Sequence, residues 1–217
     1  MAKIEIPEKD KIYTTGISDP VRFYYHFILK YPFLRRLRMI LNLLNRQGAS
    51  VLDVGYGSGI FFWELEKRFN NLYGIDLHDK QEAVRELLRK ENIIAELKQA
   101  DITSIPYGDN TFDCVLSVST LEHVADLRGA LKEMSRILKD GGEAVFGFPS
   151  DNPMMQMLHY VFDRTPHGEL HVSGSKKIIG QIRDVFDIEE ILTYPFFLPP
   201  GWALYAGCRC VKKRQTK

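Results

Sequence analysis

The stretch Val51-Leu52-Asp53-Val54-Gly55-Tyr56-Gly57-Ser58-Gly59 decides how the rest of the 217-residue chain is read. VLDV is short, apolar and β-branched, and it stops at once in three alternating glycines, as a buried strand does when it ends in a tight loop. The next ten residues, IFFWELEKRF at 60 to 69, contain good helix formers and too many consecutive apolar residues for a solvated loop. The glycine turn is therefore expected to feed a helix whose first amide groups face it. A second strand, LYGID at 72 to 76, follows. Asp79 with Glu82 three residues on reads as an acidic analogue of a capping box, opening a helix through about residue 91 with Ala83, Val84, Leu87 and Leu88 inward.

Working outward, strands are expected near 94 to 99 and over FDCVLSV at 112 to 118, separated by the turn chemistry of TSIPYGDN. Residues 126 to 139 carry Leu127, Ala130, Leu131, Met134, Ile137 and Leu138 at helical spacing, and Gly141 and Gly142 are placed to end that helix. EAVFGF at 143 to 148 reads as a fifth strand, before a polar connection at 149 to 173 that is long enough to carry function. A helix bearing Ile178, Ile179, Ile182, Val185 and Phe186 then leads to strands around 187 to 194 and 202 to 211. Ahead of the first strand, residues 20 to 47 form an aromatic and arginine-rich helical segment. Its expected role is to cover a sheet face, with the part nearest Tyr13 a candidate lid. Strand and helix alternate throughout, which defines an α/β sandwich around a mostly parallel sheet.

The composition narrows the function. With 45% hydrophobic residues the chain suits one domain over 1–217, and no repeat or linker divides it. Lysine plus arginine number 29 against 28 acids, so 29 − 28 leaves +1 and no global field for polyanions; no stable nucleic-acid complex is expected. Cys114, Cys208 and Cys210 make neither a paired framework nor a CxxC spacing, which excludes a metal site from the expectations and suggests a reducing cytoplasm. Nothing approaches the ~20 uninterrupted apolar residues of a membrane span, and the first residues lack the apolar core of a signal peptide.

In an open parallel sheet, ligands bind beyond the carboxyl ends of the strands, where Gly55, Gly57 and Gly59 stand. Lacking Cβ atoms, they let the backbone turn sharply and approach a ligand. Asp76 ends the second strand 17 residues after Gly59, where a carboxylate can accept from both hydroxyls of a ribose. A nicotinamide or flavin site is the competing reading, but its fingerprint needs G-x-G-x-x-G, and the spacing here is G-x-G-x-G. Asp53 also stands where a dinucleotide fold usually has an apolar residue. A buried carboxylate there needs partners, either loop amides or a cationic group of a ligand.

VLDVGYGSG at 51 to 59, GID at 74 to 76, AD at 100 to 101, IPYGDNTFDCVLSVSTLEHV at 105 to 124 and RILKDGG at 136 to 142, in that order, resemble class I S-adenosylmethionine (SAM)-dependent methyltransferases, and within them the small-molecule, type 11-like branch. Tyr56 departs from the pattern, standing where a small residue or cysteine is usual, and Tyr107 replaces a phenylalanine. The resemblance implies a Rossmann-like sheet of seven strands, helices on both faces and an antiparallel last strand. It divides the domain into an N-terminal helical cap (1–48), a cofactor-binding core (49–148) and a substrate-side connection with C-terminal strands (149–217). It assigns Asp53 and the loop Gly55, Tyr56, Gly57 and Gly59 to the amino-acid portion of SAM, Asp76 to the ribose, and Leu77 to packing against adenine. Asp101 and Ile102 fall to the adenine amino group, and Ser117 with its neighbours to the surroundings of the sulfonium. The implied reaction passes a methyl group to a small or medium organic acceptor and releases S-adenosylhomocysteine (SAH).

Methyl transfer from a sulfonium relies largely on alignment, so no conspicuous catalytic residue is required. Where the acceptor needs a base, His123, His167 and His171 are candidates, while His159 reads as part of a packed surface. SVSTLEH stands where amino methyltransferases of nucleic-acid bases carry an Asn/Asp-Pro-Pro-aromatic run, and Cys114 lies inside a strand and so is ill placed as a nucleophile. Arg35, Arg36, Arg38 and the terminal KKRQTK could touch phosphates or an anionic surface, though such runs are more often solvated faces and tails; they leave open a protein or RNA methyltransferase that docks through its arginines. A SAM-binding regulator without transfer activity is the other alternative. Of Tyr194, Phe196, Phe197, Trp202 and Tyr205, at least half are expected in the core and the rest around an apolar acceptor pocket.

Overall fold

The computed structural model describes residues 4, 6–15, 21–45, 48–153 and 173–213. Two helices, α1 (Val21–Tyr24) and α2 (Lys30–Leu43), precede β1 (Gly48–Val54), α3 (Phe62–Leu65), β2 (Phe69–Asp76), α4 (Gln81–Lys90), β3 (Ala95–Gln99) and β4 (Phe112–Val118). Then come α5 (Leu127–Ile137), β5 (Leu138–Pro149), α6 (Ser175–Val185), β6 (Phe186–Tyr194) and β7 (Tyr205–Lys212). The seven strands lie in the order β3-β2-β1-β4-β5-β7-β6. β1 runs parallel to β2 and β4, whereas β7 is antiparallel to both β5 and β6. This is the Rossmann-like sheet expected, with its antiparallel last strand.

The order reverses at β1, whose neighbours β2 and β4 lead away in opposite directions, and a crevice must open there at the carboxyl edge. The period-2 geometry of β1 divides the core. Val51 joins a cluster with α2, α3 and α4, while Leu52 and Val54 face the cluster built on α5 and α6. Both apolar faces are covered, as a parallel sheet requires.

Several local expectations give way to packing. The helix expected over 60 to 69 is the single turn α3, because β2 begins at Phe69 and pairs with β1 from Gly48 onward. Asp79 does not cap α4: the N-cap is Lys80 without a side-chain bond, and Asp79 instead pairs with the Lys80 ammonium at 2.8 Å. Asp126 does cap α5, accepting the Gly129 N–H at 2.9 Å. The glycines at 141 and 142 do not end α5, which stops at Ile137; Gly141, at φ +68°, lies inside the long β5. The helical segment before the first strand is broken into α1 and α2, and α2 lies against β5, β6 and β7.

Gly74 shows how Tyr56 is accommodated. Asp53, Gly74 and Leu97 stand side by side on β1, β2 and β3. A Cβ on Gly74 would lie 2.7 Å from Tyr56 Cδ1 and 2.8 Å from Leu97 Cδ2. The missing side chain is the space the Tyr56 ring fills. Gly74→Ala is expected to destabilise the protein by about 1–3 kcal/mol through overpacking, with part of the loss recovered in the Gly74→Ala/Tyr56→Ala double variant. Denaturant unfolding of the four members of that cycle measures both, and additivity would contradict the contact.

Candidate functional site

At the carboxyl edge of β1, β2 and β4 lies a cleft of about 700 Å³. Its floor is the turn after β1. Gly55 (φ +77°) and Gly57 (φ +52°) occupy left-handed conformations that favour glycine. A Cβ on Gly55 would stand 2.1 Å from Thr120 Oγ1, so the ends of β1 and β4 approach more closely than any side chain at Gly55 permits.

Asp76 fastens this turn from the next strand. Its Oδ2 accepts the Gly57 N–H at 2.9 Å and its Oδ1 accepts the His78 N–H at 3.2 Å. His78 completes the clamp. Its Nδ1 accepts the Lys80 N–H at 3.1 Å, which leaves the proton on Nε2 to donate to the Gly57 carbonyl at 3.0 Å. The His78 ring also meets the Tyr56 ring edge-on at 5.0 Å.

Asp53 is 1% exposed and lines the cleft, and its Oδ2 has no hydrogen-bond partner. Burial, reinforced by repulsion from Asp76, pushes its carboxyl up to about 8. A buried acid with an unused oxygen facing a cleft is a receptor for a hydrogen-bond donor or a cation. Asp101 is the opposite case: the Thr103 N–H and hydroxyl, at 2.8 and 2.7 Å on Oδ1, hold its acid below the usual carboxylate range.

Of the residues expected at the site, Asp53, Gly55, Tyr56, Gly57, Asp76, Leu77, Asp101, Ile102 and His123 line the cleft. Leu77 is 65% exposed on its rim. Gly59 lies behind the turn, where a Cβ would meet Val84 Cγ1 at 3.1 Å and Phe62 Cδ2 at 3.2 Å, so it serves helix packing. Ser117 is also turned away from the cleft, donating to the Val54 carbonyl at 3.0 Å inside the sheet; its neighbours Val118, Ser119 and Thr120 form the wall instead. His159, His167 and His171 lie outside the described residues.

Of the five C-terminal aromatics, Tyr205 is buried and Tyr194 half-buried, but Phe196, Phe197 and Trp202 are exposed, at 88%, 71% and 70%, and none of the five lines the cleft. Cys114, Cys208 and Cys210 are buried, and none of them is in a disulfide. Among the described residues no group of three His, Cys, Asp or Glu could hold a metal, and no helix is long and apolar enough to cross a membrane.

The sequence did not single out His78, Ser119 or Thr120, and it named Arg36 only within a basic run that could touch phosphates; all four line the cleft. Ser119 and Thr120 fall within the quoted SVSTLEH stretch, and their place at the end of β4 was the available signal. Arg36 comes from α2, 83 residues before the Ser119 it touches, and only tertiary structure unites them.

This arrangement, a glycine turn clamped by an acid at the end of the second strand and walled by the end of the fourth, is a cleft built on a Rossmann-like sheet. Residues 52–146 match the family described as "Methyltransferase domain". The chain is 34% identical over 146 residues to the ubiquinone/menaquinone biosynthesis C-methyltransferase UbiE of Pasteurella multocida, an alignment covering 60% of this chain and 53% of that protein. It thus spans about half the length of the curated relatives it matches. Among solved structures, PH0226 from Pyrococcus horikoshii OT3 superposes with a TM-score of 0.72 at 18% identity, covering 89% of this chain and 96% of that one. The geranyl diphosphate C-methyltransferase of Streptomyces coelicolor A3(2) gives 0.70 at 15%, covering 85% and 81%. At these identities the structures attest the fold.

Asp53 sets a pH dependence. Its acid ionises near 3.8 when exposed but near 8 in the fold, so between those values the folded state holds the extra proton and stability falls as pH rises. Glu122, buried and also pushed up to about 8, adds to the same trend. The melting midpoint is therefore expected to fall from pH 5 to pH 8. Asp53→Asn should flatten that fall by up to about 1.4 kcal/mol per pH unit. An unchanged slope in thermal scans of Asp53→Asn would remove Asp53 as its source.

Proposed function

We propose that the cleft binds SAM and that the protein transfers its methyl group to a small or medium organic acceptor, releasing SAH. The single observation that carries this reading is the unpartnered Asp53 oxygen, set beside a glycine turn that Asp76 clamps from the second strand. Bound SAM supplies a methyl group already activated by a sulfonium leaving group. The residues present fit it. Asp53 offers a buried acceptor to an ammonium, and the glycine turn offers backbone to the amino-acid portion. Asp76 retains lone pairs for ribose hydroxyls, and Leu77, Asp101 and Ile102 line the side suited to a base.

What the chain's own side chains contribute is placement. The clamp holds the floor rigid before ligand arrives, and the β4 end fixes where an acceptor can stand, which is how proximity lowers a displacement barrier. Of the candidate bases His123, His167 and His171, His123 is the one among the described residues, and its exposure on the cleft rim supports a part in taking a proton from an acceptor. Three buried cysteines outside any disulfide suit a reducing compartment, so cytoplasmic placement belongs to the same reading. The names of the relatives, C-methyltransferases acting on ubiquinone/menaquinone precursors or on geranyl diphosphate, favour a small-molecule acceptor.

Calorimetric titration with SAM, SAH and NADH tests this directly. SAM and SAH are expected to bind and NADH not. Asp76→Ala should weaken SAH at least about tenfold, as the loss of a charge-assisted hydrogen bond does, while the sheet stays folded. At pH 7 an ammonium beside Asp53 should also expel its proton, so the apparent binding enthalpy is expected to vary with the ionisation enthalpy of the buffer, and to vary less in Asp53→Asn. NADH binding in place of SAH would sink the proposal.

A further inference from the structure

The side of the cleft away from Asp76 is built around a cation. Arg36 projects from α2 and lines the cleft beside the end of β4. Its Nη2 donates to the Tyr24 hydroxyl at 2.8 Å and its Nη1 to Ser119 Oγ at 3.2 Å, and Ser119 Oγ lies 3.0 Å from the Tyr205 hydroxyl. Three rings surround the guanidinium carbon, with centroids at 4.7 Å (Phe33), 5.0 Å (Tyr205) and 5.6 Å (Tyr24). Its Nε is buried and has no acceptor.

A guanidinium taken from water is normally met by a carboxylate. Among the described residues Arg36 has none: its hydrogen bonds go to hydroxyls, and no acid lies within 4.0 Å of it. Glu122 is buried and near enough to feel the charge, but it makes no ion pair with Arg36 within 4.0 Å, and its Oε2 has no hydrogen-bond partner. The site is cationic, lines the cleft and has no ion-pair partner among the described residues.

Its position separates it from the groups that suit the cofactor. Asp76 and Asp101 follow β2 and β3, on one side of β1; Ser119 and Tyr205 belong to the ends of β4 and β7, on the other. Arg36 also lies outside residues 52–146, the part shared with the family.

We propose that Arg36 is the anion anchor of the acceptor half of the cleft, and that the methyl acceptor therefore carries a carboxylate, a phosphate or a comparable oxyanion. The acceptor role rests on the methyl-transfer reading above; the anion site itself does not. Arg36 has two donors already fixed by Tyr24 and Ser119, and an oxyanion in the cleft completes its coordination and supplies the missing charge.

Ligand-observed NMR with benzoate, phenyl phosphate and neutral benzamide, run with and without saturating SAH, tests the anchor. At least one of the two anions is expected to bind the SAH-loaded protein. Arg36→Gln should weaken it at least about tenfold, Arg36→Lys less, and benzamide should be indifferent to both changes. SAH affinity should stay within about twofold in Arg36→Gln, which also certifies its fold. Tyr24→Phe, which removes one bond from the guanidinium and keeps its charge, should weaken the anion by about 2- to 10-fold. Anion binding that is absent or insensitive to Arg36 overturns the proposal. So does a parallel loss of SAH affinity in Arg36→Gln, because the guanidinium would then serve the cofactor's own carboxylate. Anion binding through Arg36 in a protein that takes up no SAH would keep the anion site and overturn its role in methyl transfer.

Discussion

Thr120 Oγ1 stands 2.1 Å from the place where a Cβ on Gly55 would be, and the geometry of the cleft follows from that closeness. Parallel strands hold β1 and β4 at fixed spacing, but strand pairing alone does not decide how their ends continue. With no side chain at Gly55, the turn after β1 folds down against the end of β4, and Gly55 N–H reaches back to the Ile75 carbonyl of β2 at 2.8 Å. The turn is thereby tied to β2 by backbone and pressed on β4 by contact. Asp76 and His78 then secure its far side through Gly57, one on the N–H and the other on the carbonyl. Backbone groups at a sheet edge would otherwise seek water; here both of Gly57's are satisfied by one neighbouring strand end.

The clamp leaves the charges unevenly satisfied. Asp76 accepts one backbone N–H on each oxygen, whereas Asp53, one strand away, is buried with no donor on Oδ2, and burial together with repulsion from Asp76 pushes its carboxyl up to about 8. Across the β1–β4 boundary the imbalance has the opposite sign: Arg36 is held by neutral hydroxyls and aromatic faces. A hydrophobic core would not tolerate either group, and the fold keeps both because each is set against the cleft. One half of the crevice calls for a positive group and the other for a negative one, a polarity that orients whatever binds.

The sheet was legible because its signals are local. VLDV followed by alternating glycines, and FDCVLSV after a turn, carry strand length, β-branching and punctuation within a few residues. The boundaries went wrong where long-range pairing outweighed propensity. Arg68 and Phe69 had helical company in sequence but sit beside Gly48, whose N–H donates to the Arg68 carbonyl, and Leu138 ends a helix in order to pair with Phe112. The cofactor side of the site was readable for the same reason as the strands, since its residues follow strand ends directly. Ser117 shows the limit of that reading. In a strand, a one-residue change reverses the face, and Ser117 looks into the sheet while the positive φ of Ser119 swings the chain into the cleft.

Arg36 marks the deeper limit. On α2 it is one of three arginines in four residues, and helical periodicity gives them no distinct chemistry. Its neighbours fix its meaning: Tyr24 from α1, Ser119 after β4 and Tyr205 at the start of β7. No window of sequence contains those contacts. The two halves of the crevice are therefore specified differently, one by a continuous stretch whose turn and strand ends come as a unit, the other by elements brought together only when the sheet closes over α2. Substitutions in the first half disturb the backbone that all ligands meet. Those in the second change a few side chains on a finished scaffold, and so can alter what is accepted without undoing the fold.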